Sequence, residues 1–240
     1  MVTDPPLDVL AIGAHPDDVE QTCGGTLIKM AEMGYRTGVL DLTAGEMGTR
    51  GDPAVRLQEA ETAARRLLLT WRGNLALPDA RLENTLACRL TLMSEIRRLR
   101  PRVVILPYWD GRHPDHYRAA EIGYEACFLA GVGKVDESSE PHRPFKVLYC
   151  SLYANVTPSF VVDISAQFER RMEALLVYQS QYAPPEGAAE LFPAPAEIRE
   201  RLAAVARFYG NLIGVRYGEP FVCKETLRVD DVVAMGVRSF

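Results

Sequence analysis

Three of the four histidines in this chain fall in two nearly matching runs, His15-Pro16-Asp17-Asp18 and His113-Pro114-Asp115-His116. In each run the first and last residues stand three apart, which lets both side chains point one way where a loop turns into a helix. The proline between them stiffens the turn. Two imidazoles and a carboxylate drawn from such runs, with one position left open for water, form the donor set of catalytic zinc hydrolases. There the metal brings the pKa of water down to about 7 and polarises a carbonyl. The groups left over, Asp17, Asp115 and His113, are the types needed for a general base, an orienting carboxylate and a proton donor or oxyanion stabiliser. A single run reads more simply: Asp17 or Asp18 caps the following helix, and His113 is a loop residue satisfied beside Asp110 and Arg112. Two matching runs at the ends of strands read as a metal site.

The elements that must position these loops alternate. Leu7 to Gly13 is a short apolar run with β-branched members, predicting a buried strand that leads into the first tetrapeptide, and a helix is expected from about Val19 to Met33, ended by Gly34. Arg36 to Thr43 predicts a second strand. Asp52-Pro53 predicts a helix cap followed by proline at the first helical position, opening a helix to about Leu69. A third strand is expected at Asn74 to Leu77, a helix at Asn84 to Leu99, and a fourth strand at Val103 to Leu106 ahead of the second tetrapeptide. Strands alternating with helices imply an α/β, Rossmann-like three-layer sandwich with a mostly parallel sheet, whose ligands bind beyond the carboxyl ends of the strands. After Ala130 the rhythm loosens into a decorating half. Strands are expected near Val147 to Tyr153 and Phe160 to Ile164, and a helix from about Ala166 to Tyr178. A lid-like loop follows at Ala183 to Pro195, then a helix from about Ala196 to Phe208 and a short strand near Pro220 to Cys223. No linker or repeat divides the 240 residues, so residues 1–240 are read as one domain.

With 48% hydrophobic residues the chain can bury a full core, and a net charge of −5 with scattered Lys and Arg offers no broad attraction to nucleic acid or anionic lipid. No apolar span approaches the roughly 20 residues that cross a bilayer, and a cytoplasmic location is expected. Five cysteines, an odd and widely spaced set without a Cys-x-x-Cys pair, suit reduced buried thiols. Cys23, close after the first tetrapeptide, reads as a packed small residue.

The run Ala14-His15-Pro16-Asp17-Asp18-Val19-Glu20 with Cys23-Gly24-Gly25-Thr26, followed by His113-Pro114-Asp115-His116, resembles the LmbE-like (phosphatidylinositol-glycan class L type) zinc N-deacetylase superfamily over most of the chain. Members remove acetyl groups from N-acetylglucosaminyl compounds. Asp41 to Gly51, Leu77 to Leu82 and Ile213-Gly214 with Gly218 to Phe221 resemble the bacillithiol-biosynthesis deacetylases, which act on N-acetylglucosaminyl-malate. The resemblance implies Zn2+ on His15, Asp18 and His116, with Fe2+ able to occupy the same ligands. It implies Asp17 as base, His113 as the group that stabilises the tetrahedral intermediate or protonates the leaving amine, and Asp115 as the residue that orients and charges His113. Arg56, Asp79 and Glu46 would contact a small amino-sugar substrate. Arg suits bidentate recognition of an acidic aglycone. A tyrosine assists the oxyanion in some members; Tyr108, Tyr182 and Tyr209 are all available here. Relatives of this kind often form homo-oligomers.

Within the same chemistry, an amidase or deacetylase acting on another amino-sugar or thiol-sugar conjugate is the alternative, and two other classes compete. A nucleotide-binding doubly wound module would carry Gly-x-Gly-x-x-Gly after the first strand, where this chain has Gly13-Ala14-His15-Pro16-Asp17-Asp18, with carboxylates that repel a pyrophosphate. A non-catalytic zinc protein would need a closed shell, and no fourth Cys or His ligand is evident.

Overall fold

The computed structural model describes residues 6–50, 52–152, 154–183 and 195–237. Seven strands, β1 (Val9–Gly13), β2 (Thr37–Thr43), β3 (Trp71–Leu77), β4 (Val103–Pro107), β5 (Lys146–Cys150), β6 (Phe160–Asp163) and β7 (Gly218–Val222), form one sheet in the order β3-β2-β1-β4-β5-β7-β6. From β3 to β5 every neighbouring pair is parallel; β7 runs antiparallel to β5, and β6 antiparallel to β7. The expected α/β sheet is therefore present, and the antiparallel pair belongs to the decorating half.

Every residue of β1 and β2 is buried, as apolar runs in a sheet covered on both faces should be. The two-residue period divides β1 cleanly. Leu10 and Ile12 join Leu92, Met93 and Ile96 of α4 (Leu86–Leu99) and Ile122 and Ala126 of α5 (Pro114–Ala130). Val9 and Ala11 face Val19 of α1 (Asp18–Thr22) and Leu27 of α2 (Gly24–Glu32). A third cluster joins α6 (Phe168–Leu175) to α8 (Pro195–Asn211) through Phe168, Met172, Ile198 and Ala206. The remaining helices are α3 (Pro53–Arg66), with the expected Asp52 cap and Pro53 start, and the single turn α7 (Gln179–Tyr182).

Three boundaries differ from expectation. The helix read from Val19 to Met33 breaks at Cys23 into α1 and α2. The cause lies far along the chain: the Glu219 carboxylate on β7 accepts from Gly25 N at 2.9 Å, Thr26 N at 2.7 Å and Thr26 Oγ1 at 2.6 Å, capping a new helix start. A Cβ on Gly25 would stand 2.9 Å from both Glu219 Oε1 and Ile164 Cδ1, so glycine is needed for this approach. The third strand starts earlier, at Trp71, because Arg72 is drawn into the interior by Asp41 and Glu20. The helix read from Ala166 to Tyr178 stops at Leu175 and resumes as α7. The lid read at Ala183 to Pro195 lies, apart from its two end residues, outside the described residues.

Candidate active site

The chain reverses its direction of travel across the sheet between β1 and β4, and the crevice beyond their carboxyl ends is where open parallel sheets hold ligands. Both tetrapeptides sit there. After β1, Asp17 adopts φ 106° and ψ −19°, a left-handed backbone uncommon outside glycine, and its side chain makes no cap to α1. The simple capping role is thus not its use. Its Oδ1 accepts from Arg56 Nη2 at 3.0 Å, and its Oδ2 accepts from the Tyr182 hydroxyl in a very short hydrogen bond. Arg56 also donates to Pro16 O at 2.8 Å and to Gly45 O at 3.4 Å. Gly45, at φ 69°, makes room for it, since a Cβ there would lie 2.1 Å from Arg56 Nη1.

After β4, His113 is the N-cap of α5, with Pro114 at the first helical position, and its Nδ1 accepts from Asp115 N at 3.3 Å. The His113 and His116 rings stack with centroids 4.7 Å apart, so first and last residues of the run do share a direction. His116 Nε2 stands 3.2 Å from Asp18 Oδ1, and His15 Nδ1 3.4 Å from Asp18 Oδ2. His15, Asp18 and His116 each offer a donor atom within 4.8 Å of the others, as do His15, His113 and Asp115.

The two groups are not equivalent. His15, Asp18 and His116 all line a cleft of about 770 Å³, whereas Asp115 is not among its described lining residues. The Asp115 carboxylate is taken up by Ala80 N at 2.8 Å and Leu82 N at 3.4 Å and stands 3.4 Å from His15 Nε2; Asp79 Oδ1 is 3.0 Å from the same nitrogen. Two carboxylates behind Nε2 hold the imidazole in one orientation and leave Nδ1 for a cation, the arrangement found around metal-bound histidines. Two imidazoles and a carboxylate fit a divalent metal by donor type.

Charge points the same way. Asp17, Asp18, Asp79 and Asp115 are all buried, and the guanidinium buried beside them is that of Arg56. Burial resists charging His15, but Asp115, Asp18 and Asp79 outweigh it and push its pKa up to about 12. Asp18 is held well below the carboxylate range because His116 and His15 overcome its burial. Asp79 falls to about 2, with His15 and the Met47 amide outweighing burial. Asp17 rises to about 6 through burial, opposed by Arg56. Burial, reinforced by His116 and His15, lowers His113.

The cleft also takes its walls from Gln21, Thr49, Arg50, Arg112, Ser151, Gln181, Tyr182 and the α8 residues Ile198, Arg201, Leu202 and Val205. Asp17 and His113 line it. Arg56, Asp79 and Glu46, read as substrate contacts, are not among its described lining residues. Arg56 and Asp79 are buried behind it, committed to Asp17 and His15, and Glu46 Oε1 accepts from Asp79 N at 2.7 Å. Asp115, read as orienting and charging His113, lies within 4.8 Å of it and also stands against His15, with the Ala80 and Leu82 amides holding its carboxylate there. The three available tyrosines separate clearly. Tyr182 touches Asp17, Tyr209 accepts from Val156 N at 3.1 Å, and Tyr108 lines a small pocket behind Asp18 and His116. Cys23 is fully buried and forms no disulfide, a packed residue at the helix break.

A doubly wound sheet bearing a His/Asp cluster able to hold a metal ion, beside a spare carboxylate, has the donor set of hydrolase-type sites. The comparisons with known proteins agree with the LmbE-like resemblance. Residues 10–127 match the GlcNAc-PI de-N-acetylase (PIG-L) family. The chain is 31% identical to the diacetylchitobiose deacetylase of Thermococcus kodakarensis, covering 88% of this chain and 80% of that one. It is 27% identical to a probable N-acetyl-α-D-glucosaminyl L-malate deacetylase 2 of Bacillus anthracis, covering 73% and 81%. The crystal structure of the conserved protein TT1542 from Thermus thermophilus superposes with a TM-score of 0.84 at 40% identity, over 93% and 98%. The chain belongs to the GlcNAc-PI de-N-acetylase (PIG-L) family.

Proposed function

We propose that this protein is a metal-dependent N-deacetylase that hydrolyses the acetamide of an N-acetylglucosaminyl compound, with N-acetylglucosaminyl-malate as its substrate. The observation that carries the reaction is the position of Asp17: it lines the cleft beside the metal triad yet is tied away from it by Arg56 and Tyr182. His15, Asp18 and His116 would hold the ion, zinc by donor type, with iron(II) accepting the same three. When bound, such an ion lowers the pKa of water and polarises a carbonyl oxygen. Asp17 takes the proton of the attacking water, and Arg56 and Tyr182 keep its oxygens in place. Because His113 Nδ1 accepts from a backbone amide, a neutral His113 carries its proton on Nε2, where it donates to the acetyl oxygen as charge develops there. As the C–N bond breaks, the proton held by Asp17 passes to the leaving amine.

Malate as aglycone is supported by the stretches around Asp41 to Gly51 and Leu77 to Leu82 and by the likeness to the Bacillus anthracis protein. Five free cysteines support the cytoplasmic reading. The exposed apolar residues Phe128, Phe145 and Phe208 support assembly with further copies of the chain. The test measures free amine released from N-acetylglucosaminyl-malate, diacetylchitobiose and N-acetylglucosamine by metal-loaded and chelator-treated protein. Fastest release from the malate glycoside, abolished by chelation and restored by zinc, is expected. Faster release from diacetylchitobiose would move the substrate to neutral sugars, and no release from any of the three would remove the deacetylase reading.

A further inference from the structure

α1 spans five residues, yet it carries Asp18 at its first position with Asp17 just ahead of it. So short a helix does not hold itself in water, because the first hydrogen-bonded turn is costly to form and almost nothing follows to offset it. Its place is therefore fixed from outside, and the hold comes from the decorating half of the chain. Arg171 of α6 is buried and donates from Nε to Glu20 O at 3.0 Å and from Nη2 to Gln21 O, carbonyls at the end of α1 where intrahelical partners run out. On the far side of the Cys23 break, the buried Glu219 carboxylate of β7 takes the first amides of α2 at Gly25 and Thr26. The two side chains also meet, with Arg171 Nη1 3.3 Å from Glu219 Oε1. One ion pair thus grips the end of one helix and the start of the next. Its cation stands at the negative end of α1 and its anion at the positive end of α2.

This grip reaches the cleft. Gln21, whose carbonyl Arg171 holds, lines the cleft, and its Nε2 is 3.5 Å from Asp17 Oδ2. Gln21 N donates to Asp17 O at 3.1 Å and Thr22 Oγ1 to Asp18 O at 2.8 Å, so the gripped end of α1 is tied directly to the two aspartates. With a rise of about 1.5 Å per residue, a tilt of α1 by about 10° around that end moves Asp18 by about 1 Å. A displacement of this size costs on the order of a hundredfold at a reacting centre. We infer that Arg171 and Glu219 are positioning residues for the reaction, fixing α1 from behind and so setting where Asp17 and Asp18 stand on the cleft, an inference that rests on the roles proposed above for those two aspartates. A pair that merely fastened α6 and β7 to the rest of the sheet would behave differently, because its loss would leave the folded molecules with an intact site.

The test separates those outcomes with three variants. Glu219→Gln keeps the size and removes the anion, Arg171→Lys keeps the charge and removes the planar fork, and Met172→Ala hollows the α6–α8 core as a structural control. Zinc affinity is read by competition with a chromogenic chelator, with no substrate present. kcat and KM on N-acetylglucosaminyl-malate and diacetylchitobiose are then measured well below the Tm of each variant. Glu219→Gln and Arg171→Lys are expected to bind zinc about ten- to a hundredfold more weakly and, at saturating zinc, to lose at least about tenfold in kcat with KM unchanged. Met172→Ala should lower Tm at least as far while keeping wild-type zinc affinity and kcat. Thr26→Val, which strips one donor from Glu219, covers the case in which neither charge variant folds: it should weaken zinc binding about fivefold, and Thr26→Ser should restore it. Wild-type zinc affinity and kcat in the folded charge variants, or equal losses in Met172→Ala, overturn the positioning role, as does unchanged zinc binding in Thr26→Val. If zinc binding weakens as expected while the wild-type protein releases no amine from either acetamide, the positioning of the aspartates stands and the deacetylase reading falls.

Discussion

The loops after β1 and β4 both open His-Pro-Asp, yet the fold spends the shared residues in opposite ways. In the first loop the histidine belongs to the cluster proposed to hold the metal and the aspartate stands on the cleft; in the second the histidine stands on the cleft and the aspartate lies behind His15. The difference begins in the backbone. Asp17 turns into the left-handed region before α1 starts, which throws its carboxylate sideways toward Arg56 and Tyr182. Pro114 instead starts α5 at once behind its His113 cap, so Asp115 is already helical and its carboxylate drops onto the Ala80 and Leu82 amides. Similar sequence runs thus become a turn that aims its carboxylate at Arg56 and Tyr182 and a helix start that braces His15, according to where the helix begins.

The largest effect should come from the histidines of the second loop. His116→Ala is expected to remove the metal and with it all turnover, while His113→Ala keeps stoichiometric metal and loses about a hundredfold in kcat, as loss of an oxyanion donor does. Metal analysis of the two purified variants separates them; equal metal loss in both would make the loop a unit instead of two roles. The third residues come next. Asp17→Asn should retain metal and lose about a hundredfold in kcat. Asp115→Asn should lose about ten- to a hundredfold in metal affinity and regain turnover in excess zinc. If excess zinc also rescues Asp17→Asn, the contrast between the loops collapses. Tyr182→Phe, which removes one charge-assisted hydrogen bond to Asp17, should lower kcat about tenfold with the metal content intact. The smallest effect is structural. Gly45→Ala forces the Arg56 guanidinium aside and demands a left-handed alanine, costing about 1–3 kcal/mol, a fall in Tm of about 2–10 °C by calorimetry. An unchanged Tm would show that Arg56 is not held as tightly as its contacts with Asp17 and Pro16 suggest.

Much of this is legible in the residues. The buried apolar runs of β1 and β4, the Asp52-Pro53 helix start and the placement of both tetrapeptides at strand ends follow from local pattern and turn chemistry. What local pattern does not carry is any feature made by residues far apart in sequence. The break at Cys23 depends on Glu219, nearly the whole chain away. Tyr182 sits in an unremarkable polar turn, and nothing near it signals that Asp17 is its partner. Resemblance singles out Arg56 and Asp79, but their burial, and hence their contacts with Asp17 and His15, is decided by tertiary packing. The antiparallel β5-β7-β6 edge likewise follows from how the C-terminal half folds back, which strand composition alone leaves open.

The triad straddles the β1–β4 boundary, where the two flanks of the sheet meet. An ion held there acts as a clasp: it binds only when both flanks are in register, and every unfolding route that parts them must first release it. Stability should then climb with the logarithm of free metal concentration above the dissociation constant. A melting curve recorded against metal concentration thus reads the affinity of the site without any substrate at all.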